Sequence, residues 1–207
     1  MPNWSTNRIT LYEDYDLEGK GFYNDKDGNY NIKEIFEQFL KDTEEEVEQD
    51  GEKITFHNLM NVMPTPEILR KVHASNPPVI YKDKKTGEYV WQDFFEEVDE
   101  STTEKIEIVK GTDIYDELME KFGCLTWYDW NVDAWGTKWS ARMDDIDLDE
   151  YRLQFWCDTA WCPPNELLEF IADKYKVTVE CFYEIEGYGD EGVGKDTYSP
   201  NLEEAKI

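Results

Sequence analysis

The fold is decided by Lys176–Ile185, KVTVECFYEI. Val177, Val179, Cys181 and Tyr183 alternate there with polar or outward-facing neighbours. A period of two marks a half-buried strand, because successive side chains point to opposite faces. Just upstream, Pro163 and Pro164 open a stretch with Leu167, Leu168, Phe170 and Ile171 at helical spacing, which predicts a helix to about Tyr175. Further back, GTKWSARM (136–143) and YRLQFWCD (151–158) read as an antiparallel strand pair joined by the acidic connection DDIDLDE (144–150). At the start of the chain, Ile9 and Leu11 alternate with polar residues in RITLYE, giving another strand with Trp4 over its end.

Two more helices are predicted. Asn31 is a fitting N-cap for a helix carrying Ile32, Ile35, Phe36, Phe39 and Leu40 on one face. That helix runs into Glu44, Glu45, Glu46 and Glu48, which oppose its macrodipole and so suggest a surface kept for a cationic partner. Thr112 or Asp113 caps a second helix with Ile114, Leu118, Met119 and Phe122 inward, ended by Gly123. Ile54 and Phe56 mark a short strand, and Pro64 and Pro66 a turn before a short helix over 67–72. Residues 75–110 read as an insertion with a hairpin, its tip Lys85–Glu88 lying between 79–81 and 89–91. Asp25–Asn29, DKDGN, has glycine fourth rather than sixth, so it reads as a turn and not a calcium loop.

Strand, helix, strand, strand, helix, strand is the order of a ferredoxin-like sandwich in the α+β class. The expectation is an antiparallel four-stranded sheet with helices on one face. One domain would span 1–190, with insertions at about 13–30 and 75–110, and a loose acidic tail would follow over 191–207.

The chain has 207 residues, 40% of them hydrophobic and 15% aromatic, enough to bury a core. Its 48 acidic residues outweigh 21 basic ones, for a net charge of −27. Such a field disfavours direct binding to nucleic acid and to anionic membranes, and it attracts basic proteins. No run of eighteen apolar residues and no signal-peptide pattern occurs, so no membrane span and a cytoplasmic site are expected. Cys124, Cys157, Cys162 and Cys181 are then free thiols. Cys157 and Cys162 are separated by four residues rather than two, and His57 and His73 are distant, so no zinc site or other metal or cofactor is expected. No catalytic motif appears, and an enzyme is not expected. Cys162, before two prolines, reads as a helix-start thiol with a lowered pKa, and only a nearby histidine would make it a nucleophile.

Two sets of residues stand out. Trp127–Ala141, WYDWNVDAWGTKWSA, holds four of the eight tryptophans. They either close the core or, with Trp130, Trp135, Lys138 and Trp139 on an open sheet face, stack on bases or a small aromatic ligand. The second set is acidic: Glu44, Glu45, Glu46 and Glu48, then Asp144, Asp145, Asp147, Asp149 and Glu150, with a third cluster at Glu96, Glu97, Asp99 and Glu100. These either solvate faces and loops or imitate phosphates for an arginine-rich groove.

MPNWSTNRIT, MPTPEIL, WNVDAWGTKWSA and DTAWCPPNELL resemble, in order and spacing, the small phage- and plasmid-borne proteins with a YubB-type ferredoxin-like domain. Cys162 stands where a small residue such as serine is expected. The resemblance implies the fold and a mobile-element origin, and no reaction. With the charge, it gives the functional expectation. This would be an acidic bacteriophage-type protein that binds a basic host protein and inhibits a nucleic-acid-binding defence complex by charge mimicry, as an anti-CRISPR protein would. The alternative is a nucleic-acid or small-ligand binding module. A dimer through an edge strand of the 75–110 insertion is a further expectation.

Overall fold

The structure, a computed structural model, describes residues 3–13, 32–49, 51–91, 99 and 101–201. The loop expected over 14–30, the Asn31 cap and most of the third acidic cluster lie outside them. In chain order the elements are β1 (Trp4–Tyr12), α1 (Ile32–Thr43), β2 (Glu44–Gln49), β3 (Glu52–Asn58), α2 (Glu67–Arg70), β4 (Val79–Asp83), β5 (Tyr89–Val90) and β6 (Thr103–Glu107). There follow α3 (Asp113–Phe122), α4 (Trp127–Trp135), β7 (Arg142–Leu148), β8 (Arg152–Ala160), α5 (Asn165–Tyr175), β9 (Thr178–Ile185) and β10 (Val193–Tyr198). Two compact units result, residues 1–63 with 134–207, and residues 64–133. None of the described helices is long and apolar enough to cross a membrane.

The first unit holds a seven-stranded antiparallel sheet in the order β10-β9-β1-β8-β7-β3-β2. Its centre, β9-β1-β8-β7, with α1 and α5, is the ferredoxin-like arrangement. Alternation decides the faces. Ile9, Leu11, Leu153, Phe155, Val179 and Cys181 are fully buried, and their strand neighbours face outward. The helices cover that inner face: Phe39 of α1 stacks on Phe155 at 5.9 Å between ring centroids and meets Tyr175 of α5 edge-on at 5.2 Å. Asp42 ties the helices together, accepting from the Tyr175 hydroxyl at 2.6 Å and from Lys174 Nζ at 3.1 Å.

Several expectations are corrected. The helix carrying Phe36 and Phe39, α1, packs on this sheet as its amphipathic spacing predicts. It ends at Thr43, so Glu44–Glu46 and Glu48 do not burden its C-terminus; they form β2, paired with β3. Gly136–Ser140 is not a strand, and the acidic connection is one: Asp144, Asp145 and Asp147 lie on β7. Residues 193–198 are not a loose tail. They pair with β9, and the Tyr198 hydroxyl donates to Asn165 at the start of α5 (2.7 Å).

The second unit packs a three-stranded sheet, β5-β4-β6, with α2, α3 and the N-terminal part of α4 around Leu69, Val72, Ile80, Ile108, Ile114 and Leu118. The expected hairpin is present, with Tyr81 opposite Val90 and Lys82 opposite Tyr89. Gly123 ends α3 at φ +70°, a left-handed turn that glycine adopts without strain, and its N–H reaches the Met119 carbonyl at 3.1 Å. Met119, expected inward, is exposed.

Candidate functional site

The two acidic stretches, about a hundred positions apart in sequence, lie on β2 and β7, which flank β3 at one end of the seven-stranded sheet. β3 pairs with β2 along its length and with β7 through His57–Met143 and Asn58–Arg142. Glu44, Glu46 and Glu48 share one face of β2, about 7 Å apart by strand geometry. Glu45 is on the other face and accepts from the Asn58 side chain at 2.7 Å.

On β7 the register slips between Asp144, opposite Trp156, and Asp147, opposite Gln154. Asp145 supplies the extra residue at φ +50°. This bulge puts Asp144 and Asp147 on the same, open face, where strict alternation would separate them. Asp149 accepts from the backbone N–H groups of Tyr151 and Arg152, which hold its carboxyl below the usual range. Arg152 reaches Asp149 at 3.0 Å and Asp147 at 3.3 Å, and Arg142 reaches Asp144 at 3.2 Å. Glu150 lies exposed in the turn.

The expected tryptophan face is not a sheet face. Trp130 and Trp135 are on α4. Trp130 is partly buried against the core of the second unit. Trp135 is 4% exposed, and its indole N–H donates to the Met63 carbonyl at 2.8 Å, so it anchors the chain and offers no binding surface. Lys138 and Trp139 belong to a different cluster, with Trp4 and Trp161. The Trp4 and Trp139 ring centroids are 5.9 Å apart, and Lys138 Nζ stands 4.5 Å from the Trp139 ring and 5.8 Å from that of Trp161.

The loop that presents Lys138 and Trp139 is held from below. Thr137, fully buried, donates to the Ala160 carbonyl at 2.8 Å, and Cys162 Sγ lies 3.0 Å from the Gly136 carbonyl. Gly136 has φ +77°, and a Cβ there would collide with the Glu166 carboxylate.

The open sheet face also carries a row that sequence reasoning missed. Asp144, Trp156, Arg8, Phe182 and Lys195 lie side by side across β7, β8, β1, β9 and β10. The Arg8 guanidinium sits 5.9 Å from the Trp156 ring and 5.4 Å from that of Phe182. The signal was apolar residues on both faces of LQFWC, which is more than a half-buried strand needs.

No activated thiol is present among the cysteines. Cys124, Cys157 and Cys181 are buried, and burial raises all three, Cys181 to about 12. Cys162 is raised, first by burial and then by Glu166, against the lowered pKa expected of a helix-start thiol. Among the described residues no three His, Cys, Asp or Glu side chains gather as metal ligands.

No curated protein and no solved structure matches the chain. A family model does, described as the ferredoxin-like domain in Api92-like protein, over residues 134–207. That span carries β7, β8, α5, β9 and β10, and β1 and α1 complete the sheet and its helical layer. Residues 134–207 are thus similar to that ferredoxin-like domain, and the unit they build has the fold.

Proposed function

We propose that the protein is an acidic, mobile-element-borne interaction protein whose β2–β7 edge docks on a basic surface of a host protein. One observation carries this: the two densest acidic stretches lie on β2 and β7, the strands on either side of β3 in a single sheet, in the same unit. A line of carboxylates at strand spacing offers regular bidentate partners to arginine forks, as a phosphate backbone does. The net charge of −27 adds long-range attraction to any basic target and speeds encounter. A nucleic-acid-binding defence complex is the partner class that fits, because its groove is built to hold closely spaced negative charge.

The test is capture from bacterial lysate with the tagged protein, washed first at low and then at high salt. A basic nucleic-acid-binding protein that elutes with salt is expected, and its loss from the E44Q/E46Q/E48Q/D144N/D147N variant. Capture that persists unchanged at high salt, or no capture at all, sinks the docking edge.

The row Trp156–Arg8–Phe182 favours a second reading, a face that stacks on the rings of a nucleotide or small aromatic ligand. Titration with single-stranded oligonucleotides at low salt, where phosphate attraction is strongest, should then quench tryptophan fluorescence; unchanged emission removes it.

A further inference from the structure

Three stretches far apart in sequence, Asn3–Trp4, Gly136–Trp139 and Ala160–Cys162, meet at one place in the first unit and leave three indole rings open. Trp4, Trp139 and Trp161 are 42%, 36% and 39% exposed. The core beneath them closes without them, and grouped large apolar side chains left at a surface mark an interaction site. The backbone around the rings is firmly set. Trp161 holds φ +75°, a conformation that bulky residues keep only when their surroundings impose it, and its N–H donates to the Asn3 carbonyl at 2.8 Å. Thr137 pins the opposite loop to Ala160.

Indole faces carry negative potential and attract a cation within about 6 Å. Lys138 Nζ already sits that close to both Trp139 and Trp161. A carboxylate adds to the preference: Glu186 Oε2 accepts from the backbone N–H of Trp4 at 3.4 Å.

We propose that Trp4, Trp139 and Trp161 form an aromatic cage for an arginine or lysine side chain of the basic partner, with Lys138 as the resident cation that the incoming group replaces. The nature of the partner rests on the docking-edge proposal, while the cage itself rests on the rings. Exchanging one cation for another leaves the charge above the rings unchanged. A nucleotide in the same place would bring its phosphate into a −27 field.

Arginine methyl ester, titrated into the full-length protein, probes the cage directly, read by the indole N–H resonances of Trp4, Trp139 and Trp161. Saturable shifts at these three are expected. K138A should bind the ester more tightly, since the competing cation is gone, and W139A more weakly, by about tenfold. W139F keeps a ring face and should retain part of the response, which separates loss of the cage from loss of the fold. No shift at the three indoles overturns the proposal. So does weaker binding in K138A, because Lys138 would then support the site rather than compete with the incoming cation.

The E44Q/E46Q/E48Q/D144N/D147N variant should keep the arginine response while losing partner capture. If that variant still captures the partner, the docking edge fails and the cage stands. If W139A loses the arginine response yet captures the partner as well as the parent, the cage plays no part in docking.

Discussion

At the scale of single residues, the structure turns on a few positions where a side chain has one workable choice. Gly136 combines φ +77° with a carboxylate where its Cβ would be. G136A should therefore cost more than the 1–2 kcal/mol or so of left-handed strain alone, and lower the melting temperature. A shift of the loop at Gly136 would also carry Trp139, three residues on, whose indole resonance should move even where the protein stays folded. Asp42 makes a pH prediction. The Tyr175 hydroxyl, then Lys174 and Gln38, stabilise its charged form against the opposing effect of burial, and hold its carboxyl below the usual range. A depressed folded pKa contributes stability that is complete above the unfolded value near 4 and lost as pH falls through the lower folded value. D42N should cost about 1–3 kcal/mol in urea unfolding at neutral pH, the scale of charge-assisted hydrogen bonds. The gap between parent and variant should close on acidification below about pH 4; a gap that stays constant would show that the charge of Asp42 is irrelevant.

At the scale of elements, β7 shows what sequence pattern conveys and what it hides. The alternation in KVTVECFYEI gave β9 directly, because the strand has one buried and one wet face. The spacing of α3 and α5 gave both helices for the same reason. DDIDL gave nothing of the kind: aspartate is depleted in strands, and a bulge breaks the period of two that would have revealed one. β2 was hidden differently. EEEVEQ follows α1 without a break, and no buried face is written into it, since all its residues but Glu45 are exposed. β10 is held by pairing with β9 and by the Tyr198–Asn165 hydrogen bond, neither visible locally. The tryptophan cluster was half legible: WGTKW and TAWC stood out, but only the pairing of Trp4 with Ala160 brings the N-terminus to them. The bulge is open to a direct test. Asp145 sits at φ +50°, which glycine and aspartate tolerate and a β-branched residue does not. D145G should melt close to the parent, and D145V should lose about 1–2 kcal/mol. If valine melts like glycine, the bulge does not depend on the left-handed turn.

At the scale of the whole molecule, two features act on the entire chain: separate cores and an excess of negative charge. The first and second units each bury their own apolar cluster, and each carries cysteine reporters, Cys157 and Cys181 in residues 1–63 with 134–207 and Cys124 in residues 64–133. Smaller cores open more easily. In rising urea, Cys124 should become labelled by a thiol reagent before Cys157 and Cys181; simultaneous labelling would mean that the chain unfolds as one. The charge makes a prediction with opposite signs for two measurements. Self-repulsion among −27 net charges opposes the compact state, and salt screens it, so added sodium chloride should raise the melting temperature. The same screening weakens attraction between the β2–β7 edge and a basic partner, so affinity should fall over the same range of salt. An acidic surface kept only for solubility would give the first effect without the second. Measured together on the parent and on the E44Q/E46Q/E48Q/D144N/D147N variant, the two slopes separate these roles: if the edge docks, neutralising it should flatten the salt dependence of binding far more than that of melting, and if both slopes flatten alike, the carboxylates act only through their share of the overall charge.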